Sequence, residues 1–250
     1  MTPSTPLPSR PVGILGGMGP AAGADFVRLF VQACTDHMHE AGVPVRDQAF
    51  PEHWLVQAPV PDRSAALNDH EGRVPSPMPA LSEALEHLQD VGARAVAMAC
   101  NTAHAWHAEL QARHPRVELL HVAREVAAHL QRQGVREVGL MATQGTYGTG
   151  LYDRALIECG IACHLPPEAD RQRLMQGIYD GVKTGDLALA RECFVEVGRH
   201  LRELHGPLTL IMACTEIPLA LEDAPEAAGW ALVNPAAVLA RALAERAYGG

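Results

Sequence analysis

Two cysteines stand apart from the others by what surrounds them. Cys100 ends the run Ala97-Met-Ala-Cys100, and Cys214 ends the run Ile211-Met-Ala-Cys214. Each follows an apolar segment of the kind that forms a buried strand. Each precedes a polar turn, Asn101-Thr-Ala-His104 in one case and Thr215-Glu-Ile-Pro218 in the other. In open parallel sheets ligands bind beyond the carboxyl ends of strands, so both thiols are predicted to sit where chemistry is done. Backbone N–H groups at a helix start favour negative charge and ease a thiol, ordinarily of pKa about 8.5, toward thiolate. Two such groups suit the inversion of a stereocentre bearing an acidic C–H: one removes the proton from one face, and the other delivers a proton to the opposite face. A Cα–H is a very weak acid, so donors must also hold the developing enediolate charge. Candidates are the backbone N–H groups after Gly16, on Gly17 and Met18, those after Thr143, and the side chains of Asn101, Thr102, Thr143, Thr146 and Thr215. His104 and Glu216 are candidates for tuning the neighbouring thiols from behind.

Cys34, Cys159, Cys163 and Cys193 lack this setting and read as small buried hydrophobes. No C-x-x-C pair or H-x-x-x-H set is present, so no metal is expected. A pyridoxal phosphate enzyme needs a Schiff-base lysine, and the only lysine, Lys183, lies in Gly181-Val-Lys-Thr-Gly-Asp186 at a helix end. Gly17 and Gly19 begin a poor dinucleotide fingerprint: the third position falls on Ala22, Gly23 comes one residue late, and Asp36 lies inside a helical stretch. No cofactor is expected. The net charge of −9 without a basic cluster argues against nucleic acid, and no apolar run is long enough to span a membrane. Residues 1–11, with Pro3, Pro6, Pro8 and Pro11 and no apolar h-region, read as a disordered lead-in rather than a signal peptide, which points to the cytoplasm.

The elements that must position these groups alternate between strand and helix. Strands are predicted at 12–15, 54–60, 94–99, 117–122, 138–142, 161–165 and 208–213. Helices are predicted at 21–39, 81–91, 101–114, 124–133, 151–159, 171–183, 187–205 and 235–248, with loops at 68–79 and 143–150. This is a parallel α/β pattern. It also repeats. Val12-Gly-Ile-Leu before a glycine loop parallels Val138-Gly-Leu-Met before another, and the two cysteine runs follow in the same order. The expected fold is two similar lobes, each a parallel sheet flanked by helices, with the active site in the cleft between them.

Gly16-Gly-Met-Gly-Pro20, Pro61-Asp-Arg63, Cys100-Asn-Thr-Ala-His104, Gly177-Ile-Tyr-Asp-Gly-Val-Lys183 and Cys214-Thr-Glu216 together resemble the motifs of the cofactor-independent aspartate/glutamate racemases, in family order and within the aspartate racemase branch. The resemblance runs from Val12 to about Ala240. It implies racemisation of an acidic amino acid, aspartate before glutamate, with Cys100 and Cys214 as the proton-transfer pair and no cofactor or metal. It implies a homodimer, a discontinuous first lobe of residues 12–122 plus 229–250, and a second lobe of 123–228. It gives Arg63 and Lys183 the substrate's side-chain carboxylate. Charge supports that role: a dicarboxylate approaching a chain of net charge −9 needs local cations, and an arginine fork and a lysine supply them.

Gln57 and Ser64 depart from the family pattern, where asparagine or serine is commoner near position 57 and threonine at 64; with the 68–79 loop, they bear on substrate identity more than on chemistry. Two alternatives share the scaffold. One is a decarboxylase or cis–trans isomerase of a dicarboxylate, which can use its cysteines unequally. The other is a non-catalytic binding protein for an acidic amino acid.

Overall fold

The computed structural model describes residues 9–249. In chain order the elements are β1 (Val12–Gly16), α1 (Pro20–Glu40), β2 (His53–Gln57), α2 (Arg63–Asn68), α3 (Met78–Asp90), β3 (Ala95–Met98), α4 (His107–Arg113), β4 (Glu118–Leu119), α5 (Val122–Arg132), β5 (Glu137–Ala142), α6 (Gln144–Thr149), α7 (Leu151–Glu158), β6 (Ala162–His164), α8 (Glu168–Gln176), α9 (Leu187–His205), β7 (Thr209–Ala213), α10 (Pro218–Leu221), β8 (Leu232–Val233) and α11 (Pro235–Ala247). They form two compact units. The first holds the described chain up to Pro61, Pro75–Val122 and Ala236 onward; the second holds Asp62–Val74 and Ala123–Pro235.

In the first unit four parallel strands lie in the order β2-β1-β3-β4, with Ile14 opposite both Leu55 and Ala97. Every residue of β1 and β3 is buried, as expected of central strands covered on both faces. Pro20 opens α1, where its fixed φ and missing N–H cost nothing. Phe26, Phe30, Cys34 and Met38 recur every four residues along α1 and form its buried stripe. Leu81, Leu85 and Leu88 do the same for α3.

The second unit repeats this plan. Its strands are parallel in the order β6-β5-β7-β8, with Leu140 opposite Ile211. Asp186 caps α9 by accepting the Leu189 N–H at 3.0 Å, and α9 buries Ala190, Cys193, Phe194, Val197 and Leu201 against the sheet. The equal strand orders explain the sequence repeat: each half carries one sheet and its own core, with Cys100 at the edge of one core and Cys214 at the edge of the other.

Several expectations need correction. Residues 143–150 are not a loop; they hold α6. The Thr143 hydroxyl caps it by accepting the Thr146 N–H at 3.2 Å, and Gly150 ends it at φ 59°. The predicted helix 171–183 is three pieces: α8, a π turn over Gly177–Gly181 and a 3-10 turn over Val182–Thr184. The short strand β8 carries no alternating pattern long enough to be seen. Of the 1–11 lead-in, residues 1–8 lie outside the described residues. Arg10 and Pro11, however, are tied down: the Arg10 N–H donates to the Ala247 carbonyl at 2.7 Å and the Arg94 N–H to the Pro11 carbonyl at 2.8 Å. The unit boundaries also differ from 12–122, 123–228 and 229–250. Asp62–Val74 joins the second unit, where α2 packs on α6, and the chain rejoins the first unit at Ala236. Among the described residues no helix is long and apolar enough to cross a membrane.

Candidate active site

In the first unit the glycine loop leaves β1 at Gly16. Gly17 has φ +94°, and a Cβ there would run into the backbone of Ala58, so this position requires glycine. Met18 is 2 % exposed and belongs to the core. Gln57, at the end of β2, lays its side chain where a Cβ on Gly16 or Gly23 would stand, and its amide donates to the Pro20 carbonyl at 3.0 Å. The residue that departs from the family pattern thus fills the space its two glycines leave open.

Cys100 lies two residues beyond β3 and is 7 % exposed. Asn101 and Thr102 are buried at the start of a 3-10 turn over Thr102–Trp106 that leads into α4. The His104 ring, 2 % exposed, folds back so that Nδ1 lies 2.9 Å from the Cys100 carbonyl. That carbonyl only accepts, so Nδ1 carries the hydrogen. Nε2 is buried without a hydrogen-bond partner. Burial first, and His121 second, push the ring pKa down to about 3, so it is a neutral imidazole. His104 and His121 ring centroids are 5.6 Å apart, and those of His107 and His121 4.7 Å. Despite this cluster, no group of His, Cys, Asp and Glu among the described residues is arranged to hold a metal.

In the second unit Cys214 follows β7 directly and is also 7 % exposed. Its Sγ–H donates to Glu216 Oε2 at 2.9 Å, and the Thr215 hydroxyl donates to the same oxygen at 3.1 Å. Glu216 is itself buried. Thr143 and Thr146 lie beyond β5 with their hydroxyls 3.1 Å apart, and the Thr143 hydroxyl caps α6. Arg63 and Lys183 belong to this unit as well. Asp62 caps α2 through the Ala65 N–H at 2.9 Å and places Arg63 at the first helical position, half-buried. The Tyr179 hydroxyl donates to the other Asp62 oxygen at 3.2 Å. Lys183, one helical turn further on, holds its ammonium 3.9 Å above the Tyr179 ring. Burial alone would raise the Asp62 carboxyl. The Ala65 N–H, the Tyr179 hydroxyl and the charges of Arg63 and Lys183 outweigh it, and the group rests below the usual carboxylate range.

Both expected cations are therefore organised round one carboxylate and one phenol. Thr143, Thr146, Thr215, Cys214, Glu216, Arg63 and Lys183 share the second unit; Gly17, Met18, Cys100, Asn101, Thr102 and His104 share the first. Asp62 and Tyr179 escaped the sequence reading. The available signal was the four-residue spacing of Tyr179 and Lys183, which stacks side chains on a helical turn. Of the other thiols, Cys34 and Cys193 are buried as expected, whereas Cys159 and Cys163 are only partly buried, against expectation; burial raises the pKa of Cys34 and Cys163 to about 12 and also pushes Cys193 up.

Comparison with known proteins agrees with this geometry. A family model described as Asp/Glu/hydantoin racemase matches residues 15–243. The structure of the Picrophilus torridus aspartate racemase superposes with a TM-score of 0.79 at 28 % identity, covering 95 % of this chain and 94 % of that one. An uncharacterised protein of Pectobacterium carotovorum, from the region 3′ of pnlA, is 32 % identical over 108 residues, which cover 43 % of this chain and 71 % of that protein. The broad-specificity amino-acid racemase RacX of Bacillus subtilis is 25 % identical over 145 residues, covering 58 % of this chain and 60 % of RacX. With the repeated parallel α/β plan and a thiol after the third strand of each sheet, the chain belongs to the Asp/Glu/hydantoin racemase family.

Proposed function

We propose that this amino-acid racemase, an isomerase, inverts an acidic amino acid, aspartate before glutamate, by a two-base mechanism without a cofactor. The observation that carries the reading is the duplicated placement of Cys100 and Cys214, each just past the third strand of its sheet and each 7 % exposed. One thiolate takes the Cα proton, and the electron pair passes into the enediolate of the α-carboxylate. The other thiol then gives its proton to the opposite face of Cα. Backbone N–H groups at Gly17 and Met18, with Asn101, Thr102 and Thr215, are assigned to the α-carboxylate and its developing charge. Thr143 and Thr146, beyond β5, are assigned to the same charge, with the Thr143 hydroxyl also accepting the Thr146 N–H that caps α6.

Arg63 and Lys183 are assigned to the side-chain carboxylate, which is why a dicarboxylic substrate is preferred. Their support is the frame of Asp62 and Tyr179: Lys183 lies over the Tyr179 ring, and Arg63 opens the helix that Asp62 caps. The similarity to the Picrophilus aspartate racemase favours aspartate. A cytoplasmic homodimer completes the proposal.

Chiral chromatography after incubation with each L-amino acid tests it. Aspartate is expected to racemise fastest, and Cys100→Ser and Cys214→Ser are each expected to lose about 10²-fold or more. A variant lacking one thiol that keeps full activity would point to one-cysteine chemistry such as decarboxylation, which carbon dioxide release would reveal.

A further inference from the structure

Cys214 and Glu216 form a buried pair in which both heavy atoms are oriented. The thiol donates to Oε2 at 2.9 Å, and a second donor, the Thr215 hydroxyl, fixes the same oxygen at 3.1 Å. A carboxylic acid is ordinarily stronger than a thiol by about four pH units, so a shared proton in such a pair belongs to sulfur. Titratable groups that reach Cys214 include Tyr147 on α6, Tyr152 on α7 and Tyr179 on the π turn. All three are phenols, and burial pushes each up, so they stay neutral near pH 7. A thiolate at Cys214 would face the Glu216 carboxyl oxygen at hydrogen-bond distance, 2.9 Å.

We propose that Glu216 is a positioning residue that holds Cys214 as the thiol, so that the substrate-free enzyme rests with Cys214 as its acid and Cys100 as its base. This rests on the two-base reading above. In the direction served by the resting form, the Cys100 sulfur takes the Cα proton and Cα takes the Cys214 proton. Cys100 is left as thiol and Cys214 as thiolate against Glu216. The reverse direction starts from that second, disfavoured form. Enantiomers have equal energy, so kcat/KM is the same in both directions and cannot report the bias. It appears in the separate constants: the enantiomer served by the resting form has the lower KM and the lower kcat.

Two measurements on the full-length protein test this. The first needs no turnover. Iodoacetamide alkylation is followed from pH 6 to 10 and assigned by peptide mass spectrometry. The pH midpoint of each cysteine's alkylation, rather than its absolute rate, reports its thiolate content. Wild-type Cys214 is expected to titrate above Cys100. In Glu216→Gln its midpoint should fall by about 1–3 pH units and its alkylation near pH 7.5 should rise about fourfold or more. A wild-type Cys214 midpoint below that of Cys100, which needs no variant to observe, overturns the proposal; so does a Cys214 midpoint that Glu216→Gln leaves unchanged.

The second measurement takes kcat and KM for both enantiomers. Glu216→Gln should draw the two kcat values together and the two KM values together, whereas a merely structural role would lower both directions alike and overturn the proposal. The outcomes separate the two readings: Cys214 tuned by Glu216 in an enzyme that still racemises as Cys100→Ser refutes the two-base reading and leaves the tuning intact.

Discussion

Acid should destabilise this protein through His104, and the size of the effect follows from its burial. In the unfolded chain an imidazole titrates near pH 6.5, whereas in the folded protein this ring is held down to about 3. Between those values the unfolded state binds a proton that the native state refuses. The stabilisation is therefore fully present above about pH 6.5 and lost as pH falls from there toward 3. Each pH unit in that window is worth about 1.4 kcal/mol, so acidification from pH 7 to 4 removes about 3 kcal/mol through this one side chain. Against a typical total of about 5–15 kcal/mol, that is a large fraction. Carboxylates titrate over the same range, so the informative quantity is a difference between proteins. His104→Asn places an amide nitrogen where Nδ1 now donates to the Cys100 carbonyl and removes the titration. Urea unfolding of both proteins at half-unit steps gives the result. The variant is less stable at pH 7, and its deficit should shrink by about 3 kcal/mol by pH 4. A deficit that stays constant between pH 6.5 and 4 refutes a buried, neutral His104, as would a ring-proton shift for His104 that titrates near 6.5 by NMR.

Other expectations follow from the same contacts. Tyr179→Phe deletes the hydroxyl on Asp62 but keeps the ring under Lys183. KM for aspartate should rise by about fivefold, and by roughly tenfold in Tyr179→Leu, which also loses the cation–π contact. Equal KM values in wild type and Tyr179→Leu would remove Tyr179 from the binding frame. Lys183→Met should raise KM for aspartate far more than for alanine, read from initial rates on both. Gly17→Ala should lose at least about 1–2 kcal/mol in thermal or urea unfolding, because its φ of +94° suits glycine and Ala58 blocks the Cβ. Gly23→Ala alone must expel the Gln57 amide and should be neutral or destabilising. In a Gln57→Ser background the same change should stabilise, by up to about 1 kcal/mol of helix propensity.

Much of the fold was legible because the signals were repeated. The four-residue stripe of Phe26, Phe30, Cys34 and Met38 reads as a helix from sequence alone, and the all-apolar runs before Cys100 and Cys214 read as central strands. The duplicated order of loop and cysteine announced two equal sheets. Other features were illegible for local reasons. Three glycines in residues 143–150 suggest a loop, but a threonine cap at one end and a left-handed glycine at the other make a single helical turn and a half. The two residues of β8 are too short to show a period. The strand-end placement of Cys100 and Cys214 was legible, because it follows from the pattern. The Cys214–Glu216 hydrogen bond was not, because whether Glu216 turns toward sulfur or toward solvent is decided by tertiary packing. The same holds for Gln57, whose contact with Gly16 and Gly23 joins residues far apart in the chain.

The central claim is that two different thiols handle the proton on the two faces of Cα. L-Aspartate incubated with the wild-type protein in deuterium oxide tests this most directly, with both enantiomers separated and weighed by mass spectrometry at early conversion. The account predicts D-aspartate carrying deuterium at Cα from the first turnovers, while the remaining L-aspartate is still almost wholly protiated. D-Aspartate that retains the original protium, or L-aspartate that exchanges as fast as product forms, would mean a single base serves both faces and would contradict it.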